Sequence, residues 1–173
     1  PFHDDESVVS FCSRLAAANG IRSAREFSLH MGFKFQQIVD GDWTTIQALA
    51  YLSGADRDAL RRRSLMKDGG YFVLNGERFT KSNVIRNRAR FCQHCVEEDE
   101  RNGSGPLEAR AYGRLAWLMA PIRTCPVHHV YLIEHVSSSH GMLANDFRVL
   151  LDLARADGAE PDVPAPGSAF EAY

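Results

Sequence analysis

Two short cysteine-containing pairs constrain this chain more than any other feature of its sequence. Cys92-Gln93-His94-Cys95 is a C-x-x-C, and Cys125-Pro126-Val127-His128 is a C-x-x-H. A two-residue gap bends the backbone into a knuckle that aims both side chains at one point, and two such knuckles supply three thiolates and an imidazole. The spacing predicts one structural Zn2+ held by Cys92, Cys95, Cys125 and His128, a set that fills tetrahedral coordination and leaves no open position. Disulfides are the competing use of these cysteines, and they belong to exported chains. Here the opening residues carry Asp4, Asp5, Glu6 and Arg14 rather than a basic-then-apolar leader. No uncharged apolar run approaches the roughly 20 residues of a membrane span. The chain therefore reads as soluble and unexported, with no membrane partner. His94 and His129 compete as donors; the regular spacing selects His128, and closure through His129 stays open. Cys12 falls on the apolar face of a predicted helix and reads as a core residue.

The remaining pattern is mainly α. Val8, Phe11, Cys12 and Leu15 recur at helical spacing within 6–19, and Ser23-Ala24-Arg25-Glu26 has the form of a capping box opening a short second helix. A third helix is expected from Trp43 to Leu52 and a fourth from Asp56 to Leu65, joined at Ser53-Gly54. That join resembles a helix-turn-helix, with Leu60 as the core anchor of its second helix. Gly69-Gly70 breaks the helical pattern, Tyr71–Leu74 is β-prone, and Asn75-Gly76 is a hairpin-type turn. A strand is expected within 130–136 and an amphipathic helix from Met142 to Ala156, inward on Phe147, Leu150, Leu151 and Ala154. The organisation expected is a helical, helix-turn-helix-like unit at 1–68, a small zinc-knuckle α+β unit at 69–136, a C-terminal helix at 137–158 and a proline-rich tail at 159–173.

Charge is segregated. The net charge is only −2, yet the stretch 56–90 holds Arg57, Arg61, Arg62, Arg63, Lys67, Arg78, Lys81, Arg86, Arg88 and Arg90 against Asp56, Asp58, Asp68 and Glu77. A local positive field attracts phosphate backbones whatever the total charge. Arg57, Arg61, Arg62, Arg63, Arg86 and Arg88 are the expected nucleic-acid contacts. Catalytic machinery is not legible: there is no P-loop and no carboxylate cluster spaced for two-metal chemistry.

Asp5-Glu6-Ser7-Val8-Val9-Ser10-Phe11, continued by Arg14-Leu15-Ala16 and Asn19-Gly20, resembles the opening motif of the TniQ family of transposition proteins. Arg90 to Asp99 resembles that family's R-x-C-P-x-C-L-x-E-D knuckle, with Gln93 in place of proline and Val96 in place of leucine. Arg114 to Trp117 resembles its R-x-x-W step, and Cys125 to Leu132 its C-P-x-H-x-x-x-L knuckle. A further C-P-x-C pair, frequent in the family, has no counterpart after Cys125. The resemblance implies a non-catalytic accessory protein that couples target-site selection and DNA to a AAA+ transposition ATPase, in the bacterial cytoplasm at the nucleoid. A target-selector complex and a second copy of the chain are further partners it implies. A stand-alone zinc-containing helix-turn-helix regulator is the alternative reading.

Overall fold

The computed structural model describes residues 1–86, 88–136 and 145–158. Its first helix, α1 (Val8–Ala18), begins where Ser7 accepts a hydrogen bond from the Ser10 N–H (3.2 Å) and turns Val8, Phe11, Cys12 and Ala16 inward. Ser23 caps α2 (Ala24–His30) through the Glu26 N–H at 3.1 Å, as the sequence predicts. A helix the pattern does not reveal follows, α3 (Phe35–Val39). Five residues are too few to display a period, yet Phe35, Ile38 and Val39 are buried together.

Asp42 caps α4 (Trp43–Ser53) and Asp56 caps α5 (Arg57–Arg62), each accepting from the N–H of Thr45 or Ala59. Gly54 ends α4 at a left-handed φ of 68°, a conformation glycine adopts without steric cost. The two helices expected on either side of this join are present, and Leu49 and Leu60 are fully buried across it. α5 stops short of the expected Leu65, because Leu65 leaves the helical core and packs with Phe72 and Val84.

Strands β1 (Met66–Asp68), β2 (Tyr71–Leu74) and β3 (Glu77–Thr80) form an antiparallel meander in that order, with Phe72 opposite Lys67 on one side and Phe79 on the other. Asn75 and Gly76, at φ 52° and 87°, make the tight turn between β2 and β3 that their sequence predicts. The boundary expected at residue 68 falls between two paired strands. The sheet is also seated on the helices: at Gly41 (φ 73°) a Cβ would lie 2.5 Å from Met66 Cα, so only glycine lets the turn before α4 approach β1.

A second, two-stranded antiparallel sheet pairs β4 (Ala89–Phe91) with β5 (Ile133–His135), which lies inside the expected 130–136 stretch. Between these strands run α6 (Gln93–Asn102) and two 3-10 turns, Leu107–Ala109 and Leu115–Leu118. α6 escapes sequence reading because only Cys95 and Val96 of its residues are buried, so it carries almost no apolar stripe. The last described helix, α7 (Phe147–Ala156), buries Phe147, Leu150, Leu151 and Ala154 as expected. Its cap Asp146 is buried and accepts from Ser13 Oγ (2.8 Å) and the Ala24 N–H (2.6 Å), which docks α7 on α1 and the start of α2. The expected start of this helix at Met142 and the tail 159–173 lie outside the described residues. The fold is helix-rich with two small sheets, and no helix among the described residues is long and apolar enough to cross a membrane.

Candidate metal centre

Cys92 stands at the N-terminus of α6 and Cys95 in its first turn, while Cys125 and His128 sit in the turn that precedes β5. A backbone hydrogen bond from the Cys125 N–H to the Val130 carbonyl (2.8 Å) closes that turn, and His129 takes up a left-handed φ of 53° within it. The consequence is a converging donor set: one ligand atom from each of Cys92, Cys95, Cys125 and His128 lies within 4.8 Å of all the others. His128 Nδ1 is 3.5 Å from Cys92 Sγ, 3.4 Å from Cys95 Sγ and 3.6 Å from Cys125 Sγ; the Cys95 and Cys125 sulfurs are 3.6 Å apart. Zinc bonds of about 2.3 Å to sulfur and 2.0–2.1 Å to nitrogen put tetrahedral ligand atoms roughly 3.5–3.8 Å apart. The residues fit the ion. A disulfide would need sulfurs about 2.05 Å apart, and all four cysteines are free.

The chemistry of the set points the same way. Hydrogen bonds from Cys92 and Cys95 hold the Cys125 thiol far below its ordinary value, while Cys95, donating to Cys125 and Cys92, is pushed far up. A divalent cation lets all three sulfurs ionise, and a coordinating thiol is deprotonated outright. Such a cation would be held by Cys92, Cys95, Cys125 and His128, and these four together could hold a metal ion.

His129 is exposed and lies outside this cluster. His94 packs its ring 5.1 Å from that of His128. Cys12 is far from the centre in sequence and in the fold: it is fully buried, within 3.6 Å of Ser28 Oγ, and burial pushes its thiol up to about 12.

One residue beside the donor set is not singled out by the sequence pattern. Glu98 Oε1 lies 3.2 Å from His128 Nε2, the ring nitrogen turned away from the sulfurs. A carboxylate there fixes the histidine's tautomer and raises its basicity toward a metal. Spacing along α6 was the available signal, since Glu98 follows Cys95 by one helical turn and faces the same way.

Asp99, the next residue, carries the link to the N-terminal half. It receives two hydrogen bonds of 3.0 Å from Arg114, whose guanidinium also lies over the rings of Tyr112 and Trp117. The backbone beside Arg114 is bonded to the start of the chain, with the Leu115 N–H on the Asp5 carbonyl (2.7 Å) and the Ser7 N–H on the Gly113 carbonyl (3.1 Å). Behind them Glu6, fully buried, takes Arg14 Nε and Nη2 at 2.8 Å each, and Arg14 Nη1 reaches the Ala109 carbonyl at 3.0 Å. Asp5, Glu6, Arg14, Asp99 and Arg114, spread over three separate motifs, thus meet in one polar seam that runs from buried Glu6 and Arg14 to exposed Asp5 and reaches α6 at Asp99, next to Glu98.

A family model, TniQ, matches residues 1–132, the stretch that contains both the seam and all four candidate ligands. The chain belongs to the TniQ family. It is on that ground a transposition-associated protein. No curated protein and no solved structure gives a significant match.

The six arginines expected to meet nucleic acid are used differently in the fold, three of them standing on α5. Arg57 and Arg62 are exposed, and Arg61 is exposed with its guanidinium 5.1 Å from the Trp43 ring centroid. Arg63 is turned inward onto the Asp4 carbonyl and carboxylate. Arg86 donates to the Val39 carbonyl at 2.7 Å and lies over Phe72 at 4.8 Å, and Arg88 pairs with Glu134 at 2.9 Å.

Proposed function

We propose that this chain is a non-catalytic accessory protein of DNA transposition, a zinc-stabilised adaptor that couples target-site selection and DNA to a AAA+ transposition ATPase. The observation that carries this reading is the family match over residues 1–132, whose motif residues converge on the metal centre and its seam. Zinc is the metal of choice, because three thiolates and one imidazole at tetrahedral separations are its donor set. The chemistry it would supply is structural. Four protein donors complete its shell, and Glu98 is engaged with the far side of His128 rather than placed to activate a water. The adaptor works in the bacterial cytoplasm at the nucleoid, where its partners are.

Purification of the chain with its metal, followed by elemental analysis and a pull-down against the AAA+ ATPase of its own transposition system, tests the reading. One zinc per chain and capture of the ATPase are the expected results. Absence of any association, with or without DNA, overturns the adaptor role and favours the second reading, a stand-alone zinc-containing regulator that uses the α4–α5 hairpin on DNA.

A further inference from the structure

We infer that the open edge of β3 is an interface between two copies of this chain, in which Glu77–Thr80 of each copy pairs antiparallel with the same strand of the other about a two-fold axis at Phe79. The two three-stranded meanders then become one continuous sheet. Family resemblance implies only that a second copy takes part; the surface and the register come from the strand itself, and neither depends on the adaptor reading.

The meander has two outer edges, and the fold treats them differently. Gly69-Gly70 and Asn75-Gly76 are two-residue turns, so Asp68 with Tyr71 and Leu74 with Glu77 are the hydrogen-bonded pairs that close them. Alternation along an antiparallel ladder then turns the backbone groups of Lys67, Arg78 and Thr80 outward. At β1 the outward Lys67 N–H donates to the Asp40 carbonyl at 2.9 Å, and the turn at Gly41 lies against Met66, so the helical half closes this edge. At β3 no further strand pairs. Among the described residues, no backbone hydrogen bond reaches the Arg78 N–H, the Arg78 carbonyl or the Thr80 N–H. Glu77, Arg78 and Thr80 are exposed, and the strand has neither the proline nor the bulge that blunts many edges.

What covers this edge is written in its residues. Glu77-Arg78-Phe79-Thr80-Lys81 is complementary to itself when laid antiparallel: Phe79 meets the partner's Phe79, Arg78 meets the partner's Thr80, and Glu77 comes beside the partner's Lys81. Hydrogen-bond parity agrees, because Arg78 and the partner's Thr80 are both outward residues, while the two Phe79 rings fall at the closer, non-bonded position. Phe79 is half-buried against the Leu65, Phe72 and Val84 cluster, and a second ring covers what that cluster leaves open. Arg78 keeps its own ion pair with Asp68 at 3.0 Å and faces a neutral threonine. Moving the axis to Arg78 sets two guanidiniums side by side, and moving it to Thr80 runs the pairing into the 3-10 turn Lys81–Asn83. A contact this short gives a weak, concentration-dependent dimer of the transient class.

Sedimentation velocity of the full, metal-loaded chain over a concentration series tests the assignment. The parent is expected to show a reversible monomer–dimer equilibrium. Thr80→Pro removes the outward N–H alone, since Thr80 already has φ −69°, the value proline imposes; the dimer is expected to be lost with the thermal melt unchanged. Glu77→Lys and Lys81→Glu each set like charges opposite one another twice and are expected to weaken the dimer on the order of tenfold. Mixed together, those two variants restore opposite charges at both positions, so the mixture is expected to associate more tightly than either alone. A parent that stays monomeric throughout, a folded Thr80→Pro that dimerises like the parent, or a mixture no tighter than its components each overturns the assignment. If the parent stays monomeric and Thr80→Pro abolishes capture of the ATPase, the edge takes a strand of that partner instead. Capture of the ATPase by the parent chain judges the adaptor reading separately.

Discussion

In α1–α5 the core is a hydrocarbon cluster in which Val8, Phe11, Ile38, Ile46, Leu49 and Leu60 pack against one another, with Ser10, Ser13, Arg14, Ser28 and Thr45 buried at its margins, and the helices are ended by local caps. Between β4 and β5 the central positions are held by Cys92, Cys95 and Cys125, beside a buried Arg90 that donates to the Met119 carbonyl. The strands there are three residues long and the turns are 3-10, so few backbone groups are paired in regular ladders. The difference teaches what a metal is for in such a chain. Hydrocarbon burial contributes about 1.5–3 kcal/mol per large side chain and serves both halves, whereas a unit of three-residue strands and 3-10 turns, with Cys92, Cys95 and Cys125 inside its apolar cluster, also needs a staple.

Cys125→Ser tests this contrast most severely. Metal binding in isolated structural modules is worth on the order of 10–16 kcal/mol and is inseparable from their folding. The variant is expected to lose stoichiometric zinc and to lose hydrogen-exchange protection across residues 92–135, with protection in α1, α4 and α5 retained. Full zinc content with unaltered exchange breaks the comparison outright.

The seam joining the halves ranks next. Glu6→Gln removes the negative partner of Arg14, itself only 8% exposed, and truncating one member of a buried pair costs about 3–5 kcal/mol. Urea denaturation measures it. A loss below about 1 kcal/mol would mean that backbone hydrogen bonds such as Leu115 to Asp5 hold the halves together and the ion pair is incidental.

Glu98→Gln sharpens the comparison within the metal unit. An outer carboxylate on a ligating histidine is typically worth about 10- to 100-fold in metal affinity, so a chelator-competition titration should show weakening of that order with the fold intact. Parental affinity would leave Glu98 a surface residue that happens to lie near His128.

How far these parts were legible in the sequence follows from the same contrast. The candidate metal ligands were readable because two-residue spacing encodes knuckle geometry directly, and α1, α4 and α7 were readable because they carry an apolar stripe over several turns. α3 is too short for a stripe, and α6 is solvent-facing except at Cys95 and Val96. The arginines show a different limit. Arg57 and Arg86 are the same residue in the same basic stretch, but one is exposed without an ion pair and the other is folded onto Val39 and Phe72, and only tertiary placement separates them. Glu98 and Asp99 were visible as an acidic pair, but that one orients His128 and the other binds Arg114 depends on the register of a helix the pattern did not reveal.

The smallest effect belongs to the helical half, where each contribution is local. Asp42 caps α4, accepting from the Thr45 hydroxyl at 2.6 Å and the Thr45 N–H at 2.8 Å, and these two bonds hold its carboxyl below the usual aspartate value. Asp42→Ala is expected to cost about 1 kcal/mol at neutral pH, the ordinary worth of a cap. A carboxyl whose folded value is depressed contributes stability that is fully present above its ordinary value and is lost as pH falls through the depressed one. The gap between parent and variant in thermal stability should therefore be constant near neutrality and shrink in acid, with metal content the same in both. A gap that widens in acid would mean the neutral carboxyl is the better cap, and a change in metal content would mean that the two halves are not held by separate means.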